Sequence, residues 1–348
     1  MKDLARGNGD CTCAGGGCAR ADGRPRAPRW KDAGRCRSSC PEQDWPGLAR
    51  RSTSGGSRRL RTPIRSRRGA LRTLAWFLLL VSGGAAAASP AFDVHVHLRE
   101  GEASLRAYQA DVEAAGIELA GVGAMWFGGP HQARQGELEK IRAGNDGVIA
   151  LAAKHPLVLP IATVHPYDEA AAMEELARVA AAGVRVLKLH AHTQGFDVSD
   201  PRVEALVRKA GELGVIVLMD NANILPGDSE KLFNLVVRVP GTTFVLAHIG
   251  GMNFRFWNIL ALARTADGFA MDNLYFDISG PVLLAADSPI EAEFVWTLRN
   301  VGIDRVLLGS DYPQMGLGAM ADALERLDLS DEEKDKIRVG NARRLFGR

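Results

Sequence analysis

Residues 184–220, VRVLKLHAHTQGFDVSDPRVEALVRKAGELGVIVLMD, contain a complete strand–helix–strand unit. Two short apolar runs rich in β-branched residues end near His190 and Asp220, and an amphipathic segment of helical period lies between them. Asp200 and Pro201 start that segment as a capping residue and a proline in the first helical turn. This order predicts two parallel strands joined by a helix.

The same unit recurs along most of the chain. Its apolar runs end near eight residues, which are His97, Met125, His165, His190, Asp220, His248, Asp277 and Ser310. Amphipathic segments such as 170–181 and 229–238 separate the runs, and Ser330 to Glu333 forms a capping box for a last helix. No Gly-x-Gly-x-x-Gly turn follows the first run, which argues against an open doubly wound sheet. The pattern predicts an α/β fold, a closed (β/α)₈ TIM barrel over residues 89–348.

Residues 1–88 differ from the barrel segment in charge. They contain 18 Lys and Arg against 6 Asp and Glu, whereas residues 89–348 contain 25 against 35. Residues 1–64 are rich in Gly, Arg, Ser and Pro without apolar periodicity, which predicts a disordered basic extension or a mis-assigned start. All five cysteines lie there, but no histidine does, and their spacing is not that of a structural zinc site.

Residues 65–88 have the three parts of a secretory signal peptide. A basic start precedes the apolar run 74–81 and an alanine-rich stretch. Arg67 and Arg68 give the start a likeness to a twin-arginine signal, with a general secretory signal or an uncleaved anchor as alternatives. The signal predicts a periplasmic or secreted protein with no stable membrane anchor after cleavage. The acidic remainder argues against nucleic acid as a partner. A small-molecule substrate is expected, and a homodimer is a reasonable default.

The first run, Phe92-Asp93-Val94-His95-Val96-His97, places two histidines two residues apart. Because side chains alternate between the faces of a strand, His95 and His97 are expected to point together into the barrel. Two imidazoles side by side at a strand end provide half of a metal site, whereas two core histidines without metal are the alternative.

The fourth run ends with Lys188 and His190, which also share a face. A buried lysine is costly unless it is paired, so Lys188 is a candidate catalytic residue or the partner of a neighbouring carboxylate. His192 lies in the loop that follows and is a candidate substrate contact. Arg255, which follows His248 among aromatic residues, is a candidate for binding a substrate carboxylate or for a structural salt bridge.

Three further polar residues end apolar runs. Asp220 is a candidate metal ligand or hydrogen-bond partner of an imidazole, and His248 precedes two glycines that turn the chain away. Asp311 can bind a metal and accept a proton from water. Bound Zn²⁺ lowers the pKa of its water to about 7, so Asp311 would serve as general base while His248 stabilises the developing oxyanion.

These stretches resemble the amidohydrolase superfamily, in particular its branch of metal-dependent hydrolases and decarboxylases. The resemblance covers residues 92–346 and lies mainly in FDVHVHL (92–98), GVRVLKLHAHTQGF (183–196), FVLAHIGG (244–251), LLGSDYP (307–313) and GNARRLFG (340–347). It implies that His95 and His97 are metal ligands, that His248 is catalytic, and that Asp311 is both a ligand and the general base.

One departure from the family pattern affects the metal site. Members commonly end the fifth strand with a metal-binding histidine, but this chain has Met219-Asp220-Asn221 there. Asp220 or His190 could take that role, or metal could bind weakly or not at all. An oxygen ligand would favour a harder ion such as Mn²⁺ over Zn²⁺.

The expected function is therefore that of a hydrolase that uses one divalent ion, Zn²⁺ or Mn²⁺, to cleave an amide, ester or lactone. The alternatives are a decarboxylase of the same branch and a ligand-binding barrel without activity.

Overall fold

The computed structural model describes residues 90–128, 131–267 and 271–348. The predictions of a basic extension over 1–64 and a signal peptide over 65–88 lie outside these residues, as do the cysteines. Within the part of the chain that is described, no helix is both long enough and apolar enough to cross a membrane.

Eight parallel strands form one sheet in chain order. They are β1 (Pro90–His97), β2 (Glu118–Met125), β3 (Val158–Thr163), β4 (Val186–Leu189), β5 (Ile216–Met219), β6 (Phe244–Leu246), β7 (Leu274–Asp277) and β8 (Val306–Leu307). The sheet closes because β1 also bonds the segment that follows β8: the amide of Val94 donates to the carbonyl of Leu308, and the amide of Asp311 donates to the carbonyl of His95. The predicted (β/α)₈ barrel is confirmed.

Helices cover the outside of the barrel. The α-helices are α1 (Glu102–Ala114), α2 (Leu138–Lys154), α3 (Glu169–Ala181), α4 (Ala191–Gln194), α5 (Pro201–Glu212), α6 (Asp228–Arg238), α7 (Ile259–Ala263), α8 (Pro281–Ala285), α9 (Glu291–Val301), α10 (Leu317–Arg326), α11 (Asp331–Asp335) and α12 (Asn341–Phe346). Asp200 caps α5 through a bond to the amide of Arg202, and Ser330 and Glu333 form the predicted capping box. The predicted helix starts are thus within one residue of those observed.

The barrel has an inner and an outer core. The outer core packs the strands against the helices, and the inner core is a separate cluster that includes Val186, Leu218 and Leu307. At the N-terminal ends of the strands, Phe92 stacks on Phe346 with ring centroids 5.6 Å apart and closes that end. The barrel therefore has a filled core that is closed at the N-terminal ends of its strands.

Because side chains alternate between the two faces of a strand, the inward-facing positions continue to the C-terminal end of each strand. Lys188 lies two residues after Val186, Asp220 two after Leu218, and Asp277 two after Tyr275. Val186 and Leu218 belong to the inner core and Tyr275 packs against it, so alternation points all three polar side chains to the same face. The polar side chains at the strand ends thus continue the inner core and converge above it.

A candidate metal centre at the barrel mouth

A cavity of about 440 Å³ opens at the C-terminal ends of the strands. Seven of the residues discussed below line its floor and walls, and these are His95, His97, Lys188, His190, Asp220, His248 and Asp311. The structure therefore brings together all the predicted catalytic and metal-binding residues, although they come from strands that are up to 216 residues apart in the chain.

His95, His97 and Asp311 form the tightest group of acceptors on the floor. The two Nε2 atoms are 3.2 Å apart, and Asp311 Oδ1 lies 3.4 Å from His95 Nε2 and 3.2 Å from His97 Nε2. Each imidazole donates its Nδ1 proton elsewhere, His95 to Asp277 Oδ2 at 2.8 Å and His97 to the carbonyl of Phe127 at 2.6 Å. Both Nε2 lone pairs consequently face the same point as the carboxylate.

This arrangement fits a divalent cation. Ligand atoms about 2.1 Å from one ion, at angles between octahedral and tetrahedral, are about 3.0–3.4 Å from each other. The three distances on the floor lie in that range. His248 also lies near this point. One ligand atom from each of His95, His248 and Asp311 lies within 4.8 Å of the other two. Three converging electron pairs repel one another, and a cation between them would relieve this repulsion.

Burial and charge keep these groups in the forms that bind a metal. Burial and the nearby Lys188 ammonium lower the pKa of His95 well below its ordinary value, so the ring is neutral. Burial raises the pKa of Asp311, but the two adjacent imidazoles of His95 and His97 lower it more strongly, to about 2. At neutral pH the site therefore presents a neutral imidazole at His95 and a carboxylate anion at Asp311.

Lys188 supplies a positive charge on the same floor. Its Nζ donates to His95 Nε2 at 2.9 Å, and only 1% of the residue is exposed. Burial lowers the pKa of Lys188, against the opposing charges of Asp220 and Asp311. Because this bond uses the lone pair that a metal would take, metal binding at His95 must exchange the lysine for the ion.

His248 is held differently from the other two histidines. Its Nδ1 lies 3.0 Å from the carbonyl of Ser279, and its Nε2 lies 3.4 Å from Asp220 Oδ1. Burial lowers the pKa of His248, but the hydrogen bond to Asp220 and the charges of Asp277 and Asp220 raise it more, to about 9. The same pairing holds the pKa of Asp220 well below its ordinary value, against the effect of burial. His248 and Asp220 thus form an imidazolium–carboxylate pair.

Asp277 connects the two sets of histidines, and the sequence analysis did not select it. Its Oδ2 accepts from His95 Nδ1 and from the hydroxyl of Ser279, and Ser279 Oγ lies 3.1 Å from His248 Nδ1. Gly309 makes room for this carboxylate, since a Cβ there would lie 2.5 Å from Asp277 Oδ1. The available signal was a carboxylate at the end of the apolar seventh run, the same signal that selected Asp220 and Asp311.

Asp93 is a second buried carboxylate that the sequence analysis missed. Its Oδ1 accepts from the amides of His95 and Ser310, and its Oδ2 accepts from the hydroxyl of Tyr108. Burial raises the pKa of Asp93 to about 7. The side chain ties β1 to the segment after β8 and thereby fixes the spacing between His95 and Asp311.

The backbone at two of these residues is in the left-handed region. The φ angles of His248 and Asp311 are 61° and 58°, which non-glycine residues rarely adopt. Gly250 and Gly251 continue the turn after His248, and a Cβ at Gly251 would lie 2.2 Å from the carbonyl of Ala222. Such conformations persist where the surrounding structure imposes them, and they are frequent at functional sites.

Three predicted residues lie at the edge of the site or outside it. His190 lines the cavity with Nε2 3.7 Å from Asp220 Oδ1, and burial lowers its pKa to about 4. His192 is absent from the lining and contacts Asp228 Oδ2 at 2.9 Å. Arg255 is also absent from the lining and forms a surface ion pair with Glu293. For Arg255 the structure shows the salt bridge, which was the alternative to substrate binding.

Comparison with protein families gives one match. The family model described as Amidohydrolase matches residues 92–348, which is nearly the whole barrel. No curated protein matches the sequence.

Several solved structures share the fold. 5-Carboxyvanillate decarboxylase from Sphingomonas paucimobilis is 15% identical, with a TM-score of 0.59 over 75% of this chain and 99% of that one. 2,6-Dihydroxybenzoate decarboxylase from Rhizobium is 19% identical, with a TM-score of 0.55 over 75% and 98%. A 5-carboxyvanillate decarboxylase from Novosphingobium aromaticivorans, solved with manganese and 3-methoxy-4-hydroxy-5-nitrobenzoic acid, is 17% identical, with a TM-score of 0.57 over 76% and 99%. At these identities the likeness shows the fold.

Proposed function

We propose that this chain, which belongs to the amidohydrolase family, is a manganese-dependent decarboxylase of aromatic carboxylic acids. The observation that carries the proposal is the division of the floor into two parts. Three acceptor atoms converge on one point at His95, His97 and Asp311, and the imidazolium of His248 lies beside them. The fold shared with decarboxylases that bind aromatic acids supports this choice over hydrolysis.

The residues that would hold the metal are His95, His97 and Asp311, and Asp220 is a further oxygen donor in the cavity lining. Manganese suits this set because carboxylate oxygens favour harder ions than an all-nitrogen site does. When bound, the ion would supply Lewis-acid stabilisation of negative charge on substrate oxygens. The floor contains three carboxylates and two cationic groups. The carboxylates are Asp220, Asp277 and Asp311, and the cationic groups are Lys188 and His248. This excess of negative charge favours an additional cation.

The reaction that this floor supports replaces a carboxylate by a hydrogen. The bond between the ring carbon and the carboxylate breaks and CO₂ leaves, while a new C–H bond forms with a proton from the protein. We assign this proton transfer to His248, because the ring lines the cavity and is an imidazolium at neutral pH. Lys188 stabilises the negative charge of the substrate before the proton is transferred.

The walls of the cavity suit an aromatic ring. Phe127 and Pro281 line it near the floor, and Ile224, Met252 and Leu284 line it at the rim while remaining more than half exposed. Large apolar side chains exposed together around a polar floor are typical of a site that binds a partly apolar small molecule, which an aromatic acid is.

A product assay tests the proposal. The full chain loaded with manganese is incubated with hydroxylated benzoic acids, and released CO₂ and the decarboxylated ring are quantified. Equal amounts of both, abolished by EDTA and restored by manganese, are expected. A new acid with an alcohol or amine, and no CO₂ from any aromatic acid, would contradict the proposal.

Hydrolysis is the second candidate, and one observation favours it. Asp311 is a carboxylate anion beside two histidines on an open floor, where it could accept a proton from water. The products of the same assay separate the two reactions, since a hydrolase consumes water and releases no CO₂.

A further inference from the structure

We infer that Ser279 positions the proton donor: it holds the Nδ1–H of His248 and so leaves Nε2 as the nitrogen that gives its proton to the substrate. This inference rests on the proposed decarboxylation, in which His248 supplies that proton. Ser279 lies between β7 and α8 at the wall of the main cavity, and the residue is completely buried. Its hydroxyl lies between Asp277 and His248 and contacts both.

The carboxylate of Asp277 fixes the orientation of Ser279. Asp277 Oδ1 accepts from the backbone amide of Ser279 at 2.7 Å, and Asp277 Oδ2 accepts from its hydroxyl at 2.8 Å. A hydroxyl has one proton to donate and two lone pairs that accept. Because the proton of this hydroxyl goes to Asp277, Ser279 Oγ can only accept hydrogen bonds from its other neighbours.

Both oxygens of Ser279 lie close to Nδ1 of His248. The backbone carbonyl oxygen is 3.0 Å from Nδ1, and Oγ is 3.1 Å from it. A carbonyl oxygen only accepts hydrogen bonds, and Asp277 leaves Oγ with the same role. Without its proton, Nδ1 would direct a lone pair at the lone pairs of two buried oxygens, which is unfavourable. Nδ1 therefore keeps its proton both in the imidazolium and in the neutral imidazole.

The other nitrogen of His248 is held less firmly. Nε2 lies 3.4 Å from Asp220 Oδ1, whereas a good N–H···O bond is about 2.9 Å long. His248 and Asp220 both line the cavity. The proton on Nε2 is thus the one that can reach a substrate in the cavity.

The proton transfer consequently has a fixed direction within the imidazole. As the bond between the substrate's ring carbon and its carboxylate breaks, the electron pair of that bond takes the Nε2 proton and forms the new C–H bond. His248 is left neutral with its Nδ1 proton, and Nε2 recovers a proton from water before the next turnover. Ser279 exchanges no proton with the substrate, and its role is to keep the two nitrogens of His248 in different functions.

Hydrogen exchange at the two ring nitrogens tests the inference without a substrate. The full chain is labelled with nitrogen-15 histidine and loaded with diamagnetic Zn²⁺, and the His248 signals are those that are absent from His248→Gln. At neutral pH the Nδ1–H should exchange with water at least about tenfold more slowly than the Nε2–H, because two acceptors hold it. Slower exchange at Nε2 than at Nδ1 would overturn the inference, and this comparison needs no variant of Ser279.

Ser279→Ala tests the contribution of the hydroxyl. The variant keeps the backbone carbonyl, so the Nδ1–H of His248 loses one of its two acceptors. Exchange at Nδ1 should become about tenfold faster, and kcat should fall by about 10- to 100-fold while KM and the manganese content at saturation stay unchanged. Ser279→Thr retains the hydroxyl and should keep most of the turnover. A change in KM or metal content with wild-type exchange at Nδ1 would show a purely structural role and overturn the inference.

Ser288→Ala is the matched control. Ser288 lies between α8 and α9, donates its hydroxyl proton to the carbonyl of Ala285 at 2.7 Å and is absent from the cavity lining, so exchange and kcat should stay as in wild type. Equal changes in Ser288→Ala and Ser279→Ala would overturn the inference. If the exchange rates are as expected but no aromatic acid releases CO₂, the positioning of His248 stands and only the decarboxylase assignment falls. If CO₂ is released but Ser279→Ala behaves as wild type, the role of Ser279 alone is wrong.

Discussion

The two sides of the floor use the same side chain in opposite ways. On the side of β1 and β8, His95 and His97 give their Nδ1 protons to Asp277 and to a carbonyl. Both Nε2 lone pairs point towards the metal site, where that of His95 accepts from Lys188. On the side of β5 and β6, both nitrogens of His248 face oxygens, so the ring carries a proton. The partner of each nitrogen, and not the residue type, decides whether a histidine binds a metal or transfers a proton.

The largest expected effect comes from removing a ligand on the metal-binding side. His97→Ala should bring the manganese content from about one equivalent to nearly none and reduce turnover by more than about 10³-fold, because two acceptors cannot hold the ion as three do. Mass spectrometry of the metal and CO₂ release measure the two effects. His155→Ala, which removes a partly exposed histidine paired with Glu102, is the control. Full metal content in folded His97→Ala would place the ion elsewhere.

His248→Gln tests the proton-transfer side. The variant should retain its manganese while turnover falls by about 10²- to 10⁴-fold, because glutamine can bond Asp220 but cannot donate a proton to carbon. The same two measurements apply, and the comparison with His97→Ala is decisive. A loss of metal equal to that in His97→Ala would show that His248 is a ligand, and the two sides would then share one role.

Asp277→Asn weakens the connection between the sides. Asparagine keeps an oxygen near His95 Nδ1 but loses the negative charge that orients the ring and strengthens its Nε2 as a ligand. Manganese affinity should therefore fall by about 10- to 100-fold without complete loss of activity. A metal titration measures the change. The control is Asp272→Asn, which alters an exposed carboxylate two residues before β7. Equal affinities in wild type and Asp277→Asn would remove Asp277 from the mechanism.

The smallest effect concerns Asp93, which ties β1 to the segment after β8, and this effect depends on pH. The folded-state pKa of Asp93, about 7, exceeds its ordinary value of 3.8, so the folded protein binds more protons between these limits and loses stability as the pH rises towards 7. Asp93→Asn keeps an acceptor for the two amides and removes this loss. Its unfolding temperature in EDTA should exceed that of wild type at pH 8, on the order of 5 °C, and by less at pH 5.

The control for this prediction is Asp111→Asn, an exposed carboxylate on α1. A difference between Asp93→Asn and wild type that is the same at pH 5 and pH 8 would show that Asp93 is ionised in the folded state throughout this range.

The sequence was sufficient for the barrel because its signals are local. Apolar runs of strand length, the cap at Asp200 and the capping box at Ser330 depend on neighbours a few residues apart. The polar residues that end those runs had to converge once the strands formed a closed parallel barrel. His95, His97, Lys188, Asp220, His248 and Asp311 could therefore be selected without coordinates.

What the sequence could not supply is the partner of each polar atom. Arg255 and Arg99 are both arginines near a strand end that carries a histidine, yet one forms an ion pair with Glu293 on the surface and the other lines the cavity. Asp277 ends an apolar run as Asp220 does, but only its distance from His95 shows that it orients a ligand. The prediction of export still depends on residues outside those described.

The sequence by itself thus determined the barrel, the family and the group of residues at its mouth, because periodicity and strand ends are properties of short segments. Only the tertiary structure decided which histidine nitrogens face a common point, which one faces a carboxylate, and which arginine lines the cavity. These features depend on distances of about 3 Å between residues that lie far apart in the chain, and hydrogen bonds and metal bonds form or fail over a few tenths of an ångström.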